Sequence, residues 1–130
     1  MNLLLDTHTF IWWDNNSFLL SPKAFDLIKD ERNENTIYLS VVNVWEIQIK
    51  SQIGKLSLNA PVDELIKEQQ EKNDLRILPI NLAHALKVGD LALYHKDPFD
   101  RLLIAQAIVE GYTLISKDDI FEQYPVSVVW

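Results

Sequence analysis

The sequence predicts a three-layer α/β domain, a central and mainly parallel sheet of four to five strands flanked by helices. Three observations predict it. Short apolar runs fit for strands buried on both faces recur along the chain. Helical patterns with recognisable starts and stops fill the intervals between them. One of those helices, from Leu102 to Val109, is apolar almost all round apart from Gln106, which marks an element buried against a sheet.

Asn2 to Leu5 reads as the first strand, closed by Asp6. Thr7 to Trp13 turns into a first helix, and Asp14-Asn15-Asn16-Ser17 is a loop. Ser21-Pro22 pairs an N-cap with a first-turn proline and opens a helix to about Arg32. Thr36 to Ser40 is a second strand. Ser40 then caps a helix from Val41 to about Gln52, which Gly54 stops. Its apolar stripe is read as Val42, Trp45, Ile49 and Ile53, with Glu46 at the edge. A charged helix runs from Asn59–Pro61 to about Lys72. Leu75 to Ile80 is a third strand, with Pro79 near its end. Asn81 caps a helix to about Leu91. Asp97 fits an N-cap, Pro98 the first helical position and Asp100 the third. Tyr112 to Ser116 is a fourth strand, and Val126 to Trp130 a short last one.

The 130 residues form one domain, 1–130, with no repeat or linker. The composition is 48% hydrophobic, which suits a real core. There is no cysteine, which removes disulfides, thiolate metal sites and thiol nucleophiles. Leu3-Leu4-Leu5 has no basic residue before it and stops at Asp6, so it is not read as a signal peptide. No stretch is long enough to span a membrane, and a soluble cytoplasmic protein is expected. The net charge of −7 argues against simple nucleic-acid binding. It does not argue against acids gathered around a cation that reverses the local field. It also suits a basic protein partner.

Ligands in parallel α/β sheets bind beyond the carboxyl ends of the strands. Asp6 follows the first strand and Asp118 comes two residues after the fourth. Asp97 and Asp100 open the helix that leads into the fourth strand, so they face the same edge. Glu46 sits early in the helix after the second strand. Each acid has an ordinary explanation alone: caps for Asp6, Asp97 and Asp100, a pair with Lys50 for Glu46, and a loop position for Asp118. Their joint arrival at one edge argues for a shared site of Asp6, Glu46, Asp100 and Asp118. Crowded carboxylates raise one another's pKa, and a divalent cation relieves the strain. Oxygen ligands without sulfur suit Mg²⁺ or Mn²⁺. Such a site can activate water and stabilise the leaving oxygen of a phosphodiester.

These segments resemble a known family. Leu3-Leu4-Leu5-Asp6-Thr7-His8, Ser40 with Trp45-Glu46-Ile47, Asp97-Pro98-Phe99-Asp100-Arg101-Leu102-Leu103-Ile104-Ala105-Gln106-Ala107 and Leu114-Ile115-Ser116-Lys117-Asp118 are similar to the motifs of PIN-domain ribonucleases. Within them the chain looks like the VapC-like toxins of type II toxin–antitoxin pairs. The resemblance implies a PIN-like fold and a Mg²⁺- or Mn²⁺-dependent endoribonuclease. Its acids, carried over by motif, fall on Asp6, Glu46, Asp100 and Asp118, with Asp6, Asp100 and Asp118 assigned to the metal. Ser116 takes the place of a small polar residue that positions the site, and Asp97 that of a cap or outer acid. Asp119 stands second to Asp118. The family also implies an RNA substrate of the tRNA or rRNA class, a cognate antitoxin and a homodimer.

Arg101, Lys96 and Lys117 lie beside these acids and either bind phosphate or balance charge. Trp12 and Trp13 form either an antitoxin groove or part of the core or a dimer contact. Trp45 and Trp130 are read as core. His8, His84 and His95 lack metal-ligand spacing and receive no catalytic role; His95, near the helix mouth, is the one to test. A receiver-like phosphate switch would need paired acids after the first strand, where Thr7 and His8 stand. A haloacid-dehalogenase-like phosphatase would need an Asp at position 8. A catalytically silent PIN-fold interaction module is disfavoured by the intact acids.

Overall fold

The structure, a computed structural model, describes residues 1–32 and 34–130. Its elements in order are β1 (Asn2–Leu5), α1 (Thr7–Asp14), α2 (Pro22–Lys29), β2 (Thr36–Ser40), α3 (Val41–Gln52), α4 (Val62–Asn73), β3 (Arg76–Leu78), α5 (Leu82–Val88), α6 (Pro98–Glu110), β4 (Thr113–Ile115), a short 3-10 helix (Asp119–Gln123) and β5 (Val128–Val129). The sheet order is β3-β2-β1-β4-β5, and every pairing among the described residues is parallel. From β1 the chain builds outward to β2 and β3, then returns to add β4 and β5 on the other side. The reversal of strand order falls between β1 and β4, where open α/β sheets leave a crevice.

β1 is short but central, and its three leucines are wholly buried. Leu3 and Leu5 pack on one face with Ile37, Leu39, Ile47 and Ile115. Leu4 packs on the other with Leu114, Leu103 and Ile104. The alternation follows from the two-residue period of a strand, and burial on both faces explains the unbroken apolar run. Each buried leucine contributes roughly 2 kcal/mol of apolar transfer. α6 packs on the second face through Leu103, Ile104, Ala105 and Ala107, and Gly111 ends it in the left-handed region at φ 71°.

Gln106 is the polar exception in this helix, and its burial has a reason. Its Oε1 accepts the Ser40 hydroxyl at 2.5 Å, and its Nε2 donates to the Pro79 carbonyl at 3.3 Å. Ser40 Oγ also accepts the Val42 N–H, and Asn43 Oδ1 accepts the Ser40 N–H. So one side chain on α6 ties down the end of β2, the start of α3 and the end of β3.

Several elements are shorter than the sequence suggests. The helix expected to reach Arg32 ends at Lys29, because Asp30 adopts φ 30°. The helix expected to reach Leu91 ends at Val88. The third strand stops before Pro79, which has no N–H for the ladder. The 3-10 helix after Asp118 was not expected. The phase of α3 also needs correction: its buried face is Val42, Asn43, Glu46 and Ile47. Trp45 is 54% exposed and lies edge-on to Phe99 at 4.9 Å, and Ile53 is exposed too. Trp45 is therefore not core; Asn43 turns inward to bond the Ser40 N–H and the Thr7 hydroxyl, and Glu46 turns inward to the site. Trp130 is partly buried beside Trp12 at 5.7 Å, and both Trp12 and Trp13 pack against the first core. Among the described residues no helix is long and apolar enough to cross a membrane.

Replacing Gln106 with Leu leaves the Ser40 hydroxyl without its acceptor and the Pro79 carbonyl without its side-chain donor. Urea unfolding is expected to show a loss of about 1–3 kcal/mol. An unchanged midpoint would mean that Gln106 is not the tie described.

Candidate active site

Leu5 and Ile115 are register partners in β1 and β4, so Asp6 and Ser116 leave the sheet side by side. Asp6 Oδ1 accepts the Thr9 N–H at 2.8 Å and so caps α1. Asp6 Oδ2 accepts the Ser116 hydroxyl at 2.5 Å. Ser116 Oγ accepts the Asp118 N–H at 3.1 Å, and Asp118 Oδ1 caps the 3-10 helix at Ile120 N–H. Ser116 thus joins Asp6 to Asp118.

Glu46 enters from α3 and is only 4% exposed. Its Oε1 accepts the Thr7 hydroxyl and its Oε2 the Lys50 ammonium, each at 2.5 Å. Asn43 Nδ2 donates to Thr7 Oγ1 and fixes that hydroxyl. The i,i+4 pair with Lys50 and a place in the shared cluster are therefore both true of Glu46. Asp97 Oδ1 accepts the Asp100 N–H at 3.0 Å, so Asp97 is the cap of α6. Asp100 stands in the first turn of that helix, where the dipole favours an anion.

Asp6, Glu46, Asp100 and Asp118 line one cavity of about 290 Å³. Thr7, His8, Lys50 and Lys117 complete its polar wall, and Trp12 and Phe121 its apolar one. The cavity holds more negative charge than its own lysines neutralise. Burial, then the charges of Asp97, Glu46, Asp6 and Asp118, push the Asp100 carboxyl up to about 8. Burial also raises Asp6, although hydrogen bonds from Ser116 and Thr9 pull it back. Lys50 is lowered by burial, but its bond to Glu46 and the nearby acids outweigh this and raise it.

A carboxyl held protonated near neutral pH by burial and by its acidic neighbours is what a divalent cation would relieve. The oxygen donors present fit Mg²⁺ or Mn²⁺. Among the described residues, His95, Asp100 and Asp118 each offer a ligand atom within 4.8 Å of the others. Asp6 lines the same cavity but stands outside that group of three.

Two residues differ from their sequence reading. His95, given no catalytic role but marked as the histidine to test, places Nε2 at 2.9 Å from Asp100 Oδ2 and 3.2 Å from Asp118 Oδ2. The available signal was its position two residues before a helix cap, close enough for the ring to fold over the helix mouth. Arg101, read as a cation for phosphate or for the acids, is engaged elsewhere. Its guanidinium donates to the carbonyls of Val88, Leu91, Ala92 and His95 and fastens the loop before α6. Lys117 does line the cavity, while Lys96 is exposed.

A model of the PIN domain family matches residues 3–126 of the chain. The chain belongs to the PIN-domain family. It is 24% identical over 119 residues to Ribonuclease VapC22 of Mycobacterium tuberculosis, covering 89% of this chain and 86% of that protein. Among solved structures, this PIN domain is similar to VapBC2 from Rickettsia felis bound to a DNA fragment from their promoter. The TM-score is 0.74 at 18% identity, over 99% of this chain and 98% of that one. A toxin–antitoxin complex from Klebsiella pneumoniae gives 0.61 at 18% identity, over 98% and 96%. These likenesses establish the PIN fold, with its five-stranded parallel sheet.

The raised Asp100 pKa has a stability consequence in metal-free protein. The folded state holds a proton that the unfolded chain releases above its ordinary value, about 4. The contribution is full below that pH and is lost as pH rises toward about 8. Asp6 acts in the same direction. Melts in chelator are expected to fall over this window in the wild type and to flatten in Asp100→Asn. Added Mg²⁺ or Mn²⁺ is expected to raise the melting temperature of the wild type and to do so less in that variant. An equal metal response in both proteins would remove Asp100 from the ligand set.

Proposed function

We propose that the protein is a metal-dependent endoribonuclease that hydrolyses RNA phosphodiester bonds as the toxin of a toxin–antitoxin pair. The observation that carries this reading is the meeting of Asp6, Glu46, Asp100 and Asp118, from four separate segments, around one cavity. Membership of the PIN-domain family and likeness to a ribonuclease support the substrate class.

Asp6, Asp100 and Asp118 are the residues that would hold Mg²⁺ or Mn²⁺. When bound, the cation supplies positive charge for the phosphate oxygens and lowers the pKa of water. Glu46 is the proton acceptor for the attacking water: Thr7 fixes its Oε1, and Lys50 balances its charge at Oε2. Ser116 holds Asp6 Oδ2 in place, and Asp97 holds the first turn of α6. Lys50 and Lys117 give the RNA backbone local positive charge within a protein of net charge −7.

The partner is a cognate antitoxin, as in the toxin–antitoxin complexes that share the fold. The net charge of −7 suits an antitoxin with basic residues. The protein acts in the cytoplasm as a homodimer, on RNA of the tRNA or rRNA class.

Purified wild type is expected to cleave RNA with Mg²⁺ or Mn²⁺ and to stop in chelator. Asp6→Asn or Asp100→Asn should lower the rate by at least about 100-fold with the circular dichroism spectrum unchanged. Full activity in Asp6→Asn would reject the reading. Sequencing of RNA ends after brief induction, with Asp6→Asn as control, identifies the target.

A further inference from the structure

His95 is held on every side. Its backbone N–H donates to Tyr124 Oη at 2.8 Å, and that hydroxyl donates to the Ala92 carbonyl at 2.7 Å. Its carbonyl accepts from Arg101 Nη1. Its ring lies 5.6 Å from the Phe121 ring. The Asp97 N–H donates to its Nδ1 at 3.2 Å. An imidazole nitrogen that accepts a hydrogen bond carries no hydrogen, so the ring hydrogen resides on Nε2. That Nε2–H is hydrogen-bonded to Asp118 Oδ2 at 3.2 Å, and Asp100 Oδ2 lies 2.9 Å from the same nitrogen as an ion-pair contact.

We propose that His95 is a positioning residue, whose Nε2–H holds the Asp118 carboxylate while its ring keeps that of Asp100 alongside, so that the pair is preset for a divalent cation. The proposal rests on the metal-dependent reading above. It also separates two roles that distance alone confuses. Nε2 is near enough to the acids to pass for a third ligand. Ligation needs a bare Nε2, which would place the hydrogen on Nδ1 against the Asp97 N–H. The backbone of the α6 cap thus makes His95 a donor. Arg101 and Tyr124 act one step further out by fixing the loop that carries it. Partners of this kind orient metal-binding groups, and their loss weakens metal affinity about 10- to 100-fold.

Imidazole nitrogen NMR of ¹⁵N-labelled metal-free protein is expected to show hydrogen on Nε2 and none on Nδ1, and Mg²⁺ should leave this pattern in place. These signals are read without RNA, so they stand apart from any nuclease result. Calorimetric titration with Mn²⁺ should show His95→Phe binding about 10- to 100-fold more weakly than wild type. His95→Gln, whose amide N–H reaches the Nε2 position, should recover most of the loss. A hydrogen on Nδ1, a Nε2 that loses its hydrogen to Mg²⁺, unchanged affinity in His95→Phe, or equal loss in folded His95→Gln would each overturn the proposal.

Discussion

Asp6 and Ser116 leave two adjacent parallel strands at the same level, and the Ser116 hydroxyl donates to Asp6 Oδ2 at 2.5 Å. This bond joins residues 110 positions apart and sits at the reversal of strand order. The rest of the site is arranged around it. Ser116 also accepts the Asp118 N–H, so a second acid is set from the same hydroxyl. Two core clusters, one on each face of the sheet, keep β1 and β4 in register beneath it. Without that register the acids would have no common edge.

The structure places groups there that are unfavourable by themselves. Buried carboxylates crowd together, and Asp100 is pushed up to about 8 as a result. Hydrogen bonds offset part of the penalty: Thr9 and Ser116 to Asp6, Thr7 and Lys50 to Glu46, and the Asp97 cap at α6. Each bond also fixes a direction. The same contacts that make the acids tolerable in the fold preorganise them for a cation. Local rules of stability are broken where function needs them broken.

The total charge of −7 and an RNA substrate are compatible for the same reason. Steering by bulk charge is absent, but a divalent cation held within the acidic cavity would reverse the local field. Lys50 and Lys117 add positive charge on the cavity wall. Arg101, by contrast, belongs to the scaffold: four carbonyls share its guanidinium, which holds the loop carrying His95.

The sequence by itself determined the elements and the acids. Apolar runs, caps and proline positions are local signals, and they marked β1, β2, α3 and α6 closely, with Asp6, Glu46, Asp100 and Asp118 as the acids at one edge. Element ends were less legible, because Asp30 and Pro79 act through backbone conformation. Only the tertiary structure decided the sheet order, the inward turn of Asn43 and Glu46 in place of Trp45, the scaffold role of Arg101 and the clamp at His95. These depend on which segments meet across the fold. Residue spacing carries no record of a meeting made by crossovers of tens of residues, whereas packing on both faces of one sheet permits a single arrangement.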